Sequence, residues 1–384
     1  MYALLTTLFR GLPPYLWRGS NDLAIYRDTG EALLRGDFPY RDFFIEYPPG
    51  SLPAFVPPAL FTDDKATYIT YFASEMALAL VAALVLAALT TRRTWGPSGW
   101  IVPSIAFAIG AVMLYPVAVT RYDAVVALTL AISAYCAALG GRYVYLAYAS
   151  LGFGAAAKLV PALATVPLAL VRRGAARGYA IFFGVLALFF VPALLLGGNR
   201  FFESFAYHAE RGLQVESLAS SLLIKLGWVE GISFRYGAFE AQGRGVELAS
   251  SLSLPLTAVL LLLTTFVAYR AYRSGRLDPS EFPRYAAALI LAFMICSKVL
   301  SPQYLIWLLP LVPLSAPGLP GLGVSALFLA ACWTTTQVFP FHYGNLLELR
   351  PPGPNLLLAR NLLLVLLWVT LLFLPTLAPE KERA

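Results

Sequence analysis

Charge is scarce in this sequence: Asp, Glu, Lys and Arg make up 13% of 384 residues, against 59% hydrophobic. With a mean hydropathy of +0.70, that is too apolar for a soluble domain of this length. Cysteine is almost absent. Cys136, Cys296 and Cys332 stand in or beside apolar runs without C-x-x-C spacing or a neighbouring histidine, which excludes a disulfide framework or a thiolate metal site and leaves packing. No G-x-S-x-G, H-E-x-x-H, Walker A or dinucleotide fingerprint occurs, so serine hydrolysis, ATP-driven transport and hydride transfer lose their usual support. The formal charge of +7 is spread over short loops and forms no continuous basic stripe, which argues against a nucleic-acid partner.

Long oily runs are present instead. "YITYFASEMALALVAALVLAALT" (68–90), "WIVPSIAFAIGAVMLYPVAV" (100–119) and "LLLARNLLLVLLWVTLLFLPTL" (356–377) can each cross ~30 Å of hydrocarbon as helices. The expected fold is all-α, a polytopic transmembrane bundle forming one domain over residues 1–384. Full spans are expected near 2–17, 68–90, 100–118, 122–140, 178–198, 249–270, 320–340 and 356–377. The first of these, interrupted by Arg10 and lacking a small-residue cleavage site, reads as a brief span rather than a removed signal peptide.

Basic residues without matching acids, at Arg92-Arg93, Arg142, Arg172-Arg173 with Arg177, Arg270 to Arg284, and Lys381 with Arg383, mark the cytoplasmic side. The loops 18–67 and 199–248 are then extracytoplasmic, and the acids collect there. Between Arg142 and Arg172 lie residues that extend ~42 Å as one helix, where two crossings need ~60 Å. The segment must therefore bend, near Gly152, Gly154 and Pro161, with Lys158 at its apex. Residues 285–314 repeat the order of apolar run, lysine, proline, apolar run, with Lys298 before Ser301-Pro302. Eight full spans and two bent hairpins result. The five prolines of "YPPGSLPAFVPPALF" (47–61) would strip backbone hydrogen bonds from a spanning helix, so an interfacial or re-entrant piece is expected there. "SLASSLLIKLGWV" (217–229) has the pattern of an amphipathic helix along the outer leaflet.

One wall of the protein thus gathers Asp22, Asp42, Glu46, Tyr47, Arg121, Lys158, His208, Arg211, Gln214, Glu216, Lys298, Gln303, Tyr304 and His342. Lysines at membrane depth are costly and point to function. An anionic ligand group at the outer leaflet would account for Lys158 and Lys298, with Arg211 and Arg121 as further cations. Asp22 follows directly on the first span, which would hold it at the interface. His208 and His342 titrate near neutral pH and suit proton transfer, while Asp123 at a helix start suits capping. Asp42, Glu46, Tyr47, Gln214, Glu216, Gln303 and Tyr304 supply further hydrogen-bonding groups and ring faces on the same wall.

Together, "NDLAIYRDTGEALLRGDFPYRDFFIEYPPGSLPAF", "AAAKLVPALATVPLAL", "HAERGLQVESLASSLL" and "SKVLSPQYLIWLLPL" resemble glycosyltransferase family 87, among the membrane glycosyltransferases of the C fold. The resemblance runs along nearly the whole chain. It implies inverting transfer of a sugar, typically mannose, from a polyprenyl-phosphate donor to a glycolipid or glycan acceptor at the outer face of the plasma membrane. It also implies that the catalytic carboxylate is Asp22, just after the first span. No cofactor is expected, and a single donor phosphate gives less need for a metal than a nucleotide diphosphate would. A lipid-linked oligosaccharide ligase or polymerase would use a similar outer cavity. A transporter would place polar groups along both halves of the membrane, whereas here the inner halves are nearly blank.

Overall fold

The computed structural model describes residues 21–374. The expected span 2–17 and the basic residues Lys381 and Arg383 lie outside them. The chain begins with α1 (Asn21–Leu34), which carries Asp22 in its first turn, where a helix dipole favours negative charge. The proline-rich stretch forms two short turns of helix, Pro49–Ala54 and Val56–Ala59, with no span between them. This re-entrant piece is packed into the bundle: a Cβ on Gly50 would collide with the backbone of Ala156 and Ala157, so only glycine permits the approach.

The long helix α2 (Lys65–Trp95) starts at Asp64, whose carboxylate accepts from Thr67 N at 2.8 Å, and ends with Arg92 and Arg93 in its last turn. Then come α3 (Ile101–Met113), α4 (Asp123–Leu139) and α5 (Tyr143–Ala157). At 13 residues, α3 measures about 20 Å and falls short of the expected span 100–118. The bend expected near Gly152 and Gly154 is displaced. Both glycines lie inside α5, and the helix stops at Lys158, whose backbone is extended. Gly154 serves packing, since a Cβ there would strike Thr129 Oγ1 and Pro161. Past the break, Val160–Ala164 and Thr165–Val171 return toward the starting end, where Arg172 Nε donates to Ala137 O at 2.7 Å. Arg93 Nε reaches the adjacent Ala138 O at 3.1 Å, so these basic loops meet at one end of the bundle.

The remaining elements are α6 (Ala175–Gly197), α7 (Asn199–Glu210), α8 (Leu218–Lys225), β1 (Val229–Arg235), β2 (Ala238–Gly243), α9 (Val246–Arg273), α10 (Phe282–Cys296), α11 (Gly318–Thr336) and α12 (Gly353–Phe373). Among the described residues, five helices are long and apolar enough to cross a membrane: α2, α6, α9, α12, and α11 counted on through Phe341. The second hairpin holds: α10 ends at Cys296, and Pro302–Leu308 and Val312–Leu314 return as short 3-10 turns. Arg284 at the start of α10 donates to Leu371 O, Leu372 O and Leu374 O at the end of α12. It thereby satisfies carbonyls that a helix C-terminus leaves open.

The helical fold stands, with one addition and one further correction. The all-α chain carries an antiparallel β-hairpin, β1 paired with β2 from Arg235↔Ala238 to Val229↔Gly243. And α8 does not float along a leaflet: Ser220 and Ser221 are buried, and Asn361 Nδ2 of α12 donates to Ser221 Oγ at 3.0 Å and to Ser217 O at 3.2 Å. Its amphipathic pattern has a polar face because that face meets polar groups of α12.

Candidate active site

Helix direction builds the site. α2 and α4 begin at one end of the bundle, α5 and α10 finish there, and the basic turns lie at the other, about 25 Å away along the 17 residues of α4. At the acid-rich end a cavity of about 530 Å3 opens. Asp22, Thr120 and Arg121 line one side, Glu46 and Tyr207 another, and Gln214, Glu216, Ser301 and Gln303 a third. The β-hairpin contributes Phe234 and Phe239, and the irregular turn after α11 contributes Phe339 and Tyr343.

Asp22 Oδ2 lies 2.7 Å from Arg121 Nε, both groups being partly buried. Glu46 Oε2 lies 2.8 Å from Arg211 Nη2. Burial raises the Glu46 carboxyl above its ordinary value, while the Arg211 charge opposes that shift. Arg41 pairs with Asp42 at 2.7 Å. Asp42 is exposed and accepts from Phe38 N at 2.8 Å, and Arg41 and that N–H hold its carboxyl down at about 2. It closes a turn away from the cavity.

Glu216 is different. It is 2% exposed, Gln214 Nε2 donates to its Oε2 at 2.7 Å, and Oε1 has no well-directed hydrogen bond. Burial pushes its carboxyl up to about 7, against the opposing effects of Arg360 and the Tyr343 hydroxyl. Gln214 is itself held, with its Oε1 accepting from Leu300 N at 2.8 Å and its Nε2 3.3 Å from Ser301 Oγ. Arg360 sequence reasoning passed over, although an arginine inside "LLLARNLLL" was the available signal. It is 1% exposed and donates from Nη2 to Glu216 O at 2.8 Å.

The two lysines are not on the cavity wall. Lys158 Nζ lies 2.7 Å from Asp123 Oδ1 and 5.0–5.3 Å from the ring centres of Trp307, Tyr122 and Tyr304. The same Asp123 oxygen accepts from Trp307 Nε1 at 2.6 Å. Tyr304 stacks on Trp307, its centroid 4.2 Å away, and Tyr47 packs in a cluster with Tyr26, Phe55 and Tyr122. Asp123 was expected to cap α4; its carboxylate instead joins two hairpins, because Lys158 and Trp307 both reach it. Lys298 Nζ donates to Ala209 O at 2.7 Å and faces a shallower depression beside Glu240 and Glu247.

Neither histidine lines the cavity. His208 donates from Nε2 to Glu46 O at 2.9 Å, since a carbonyl only accepts. Burial and the Arg211 charge push its imidazole down to about 4, so it is neutral at physiological pH. His342 Nδ1 likewise meets Gln337 O at 2.9 Å, next to Phe339 and Tyr343 at the rim.

The family model for glycosyltransferase family 87 matches residues 44–302. No curated protein matches the chain. Among solved structures, the chain is similar to ArnT from Cupriavidus metallidurans bound to undecaprenyl phosphate, with a TM-score of 0.52 and 15% identity, over 96% of this chain and 76% of that one. The apo state of the same protein gives a TM-score of 0.49 and 14% identity, over 97% and 76%. The likeness to the lipid-bound structure places this helical membrane bundle in that fold.

Proposed function

Since the chain belongs to glycosyltransferase family 87, we propose that it moves a sugar, mannose foremost, from a polyprenyl-phosphate donor to a hydroxyl of a glycolipid or glycan acceptor, inverting the anomeric carbon. The undecaprenyl phosphate bound to the similarly folded ArnT supports the donor class. The acid-rich end with the cavity then faces the extracytoplasmic side of the plasma membrane, following the basic turns at the opposite end.

The observation that carries the reading is Asp22 on the cavity wall in contact with Arg121. In the step proposed, Asp22 accepts the proton of the acceptor hydroxyl as its oxygen bonds to the anomeric carbon. The bond from that carbon to the phosphate oxygen breaks, and its electron pair leaves with the polyprenyl phosphate. Arg121 meets the charge that grows on this phosphate, in a partly buried site where a fixed cation acts strongly. Arg211 lies behind Glu46 as a second cation. Lys158 and Lys298 contribute their charge from outside the cavity wall, each already bonded. Gln214, Glu216 and Gln303 offer hydrogen bonds to sugar hydroxyls from the wall, and Phe234, Phe239 and Phe339 offer ring faces.

The test uses purified protein in lipid with radiolabelled polyprenyl-phosphate mannose and extracted membrane glycolipids as acceptors. Asp22→Asn is expected to lose transfer by at least about 100-fold, the usual scale for removing a general base, while donor binding persists. Transfer at the wild-type rate by the variant overturns the assignment of the base.

A further inference from the structure

Three carboxylates line the cavity, and they are not equivalent. Asp22 and Glu46 each carry an arginine side chain at 2.7 and 2.8 Å. Glu216 has no such ion pair: Arg360 donates from Nη2 to the main-chain oxygen of residue 216. One carboxylate oxygen takes the Gln214 amide and the Tyr343 hydroxyl stands within reach of the carboxylate, yet the other oxygen, buried on the wall of an open cavity, has no well-directed donor. A buried acceptor left open is costly, and more so when it is charged. Such a group keeps its place only where surrounding structure over-determines it.

That support is on view. Gln214 N donates to Lys298 O at 2.9 Å and Val215 N to Phe239 O at 2.8 Å, which pins the segment to the second hairpin and to the β-hairpin. Ser217 caps α8 through Ser220 N at 3.1 Å, and Asn361 holds Ser217 O. Glu216 therefore has little freedom to turn toward another partner. Beside it on the wall stand Ser301, Gln303 and Tyr343, which can give or take hydroxyl hydrogen bonds, together with the faces of Phe239 and Phe339. Small neutral polar groups beside aromatic faces match a polyhydroxylated ring, whose edges are polar and whose faces carry C–H groups.

We infer that Glu216 is the specificity-determining residue of this cavity: its open carboxylate oxygen accepts a hydrogen bond from one hydroxyl of a hexose, so that only sugars bearing that hydroxyl are processed efficiently. The inference rests on the glycosyl-transfer reading. A site built around a buried polar group rejects a substrate that leaves the group unpaired far more strongly than an apolar pocket rejects an added hydroxyl. The hydroxyl belongs either to the sugar being transferred or to the acceptor sugar; its chemistry is the same in both.

The experiment compares kcat/KM for parent and singly deoxygenated sugars, in one arm as polyprenyl-phosphate donors and in the other as acceptors. In the wild type, one deoxy position is expected to cost at least about 100-fold, and the arm in which this appears identifies the sugar. In Glu216→Leu, parent and deoxy sugar are expected to converge to within a few-fold. Glu216→Gln, of the same size and still offering an oxygen, is expected to fall between them and serves if the leucine variant does not fold. Discrimination unchanged in both variants, or a wild type indifferent to every deoxy position, overturns the inference and leaves the transfer reading standing. Absence of sugar transfer by the wild type with any donor overturns the transfer reading, and this inference with it.

Discussion

Replacing Glu216 by glutamine is expected to make the protein more stable at neutral and alkaline pH, and only there. Unfolded, the carboxyl ionises near its ordinary value of 4.5; folded, burial moves it to about 7. The folded state thus holds an extra proton between those values, and stability falls as pH rises across that window. The sign is the reverse of the salt-bridged carboxylate, whose stabilising effect is lost as pH falls. At about 1.4 kcal/mol per pH unit, the window amounts to about 3 kcal/mol of destabilisation once pH exceeds 7. Glutamine cannot ionise and retains the shape of the side chain. Thermal unfolding in a mild detergent, followed by intrinsic fluorescence from pH 4.5 to 8.5, should show the two proteins nearly level at the acid end. The midpoint of Glu216→Gln should climb above the wild type through pH 5–7 and hold a constant lead beyond. A difference of the same size at every pH would refute the reasoning, because it would arise from packing and not from a buried charge.

Lys158→Met should leave the Asp123 carboxyl, 1% exposed, without its cation, a loss of about 3–5 kcal/mol. The double variant with Asp123→Asn should regain part of this in the same melts, and a single variant as stable as the wild type would refute the buried pair. For orientation, a cysteine at the exposed position Asp63 should react with a membrane-impermeant maleimide added to intact cells, and one at the exposed Gly275 only after the cells are opened; the reverse pattern would invert the proposed topology. Loss of transfer in Asp22→Asn and loss of sugar discrimination in Glu216→Leu complete the set.

The ends of the helices were legible because membrane segments declare themselves through unbroken hydropathy and through arginines left in the loops. The hairpin apex at Lys158 followed from length alone, since the 28 residues 143–170, between Arg142 and Arg172, cannot make two straight crossings. What stayed hidden depends on pairing across distant segments. Nothing local in "SLASSLLIKL" shows that its serines meet Asn361, and the strands at 229–243, short and partly polar, carry too weak an alternation to stand out. Lys158 looked like a ligand for an anion because the sequence displays a lysine in an oily run but not the carboxylate 35 residues earlier that already holds it. Arg211 and Glu46 are 165 positions apart, so their pairing, too, could be read only in three dimensions.

One oxygen atom of Asp123 serves a lysine from the first re-entrant hairpin and an indole from the second. The two hairpins are consequently clasped through a single joint, and neither can shift without dragging its counterpart. Any breathing of the site on this side must therefore carry both hairpins together, as one unit.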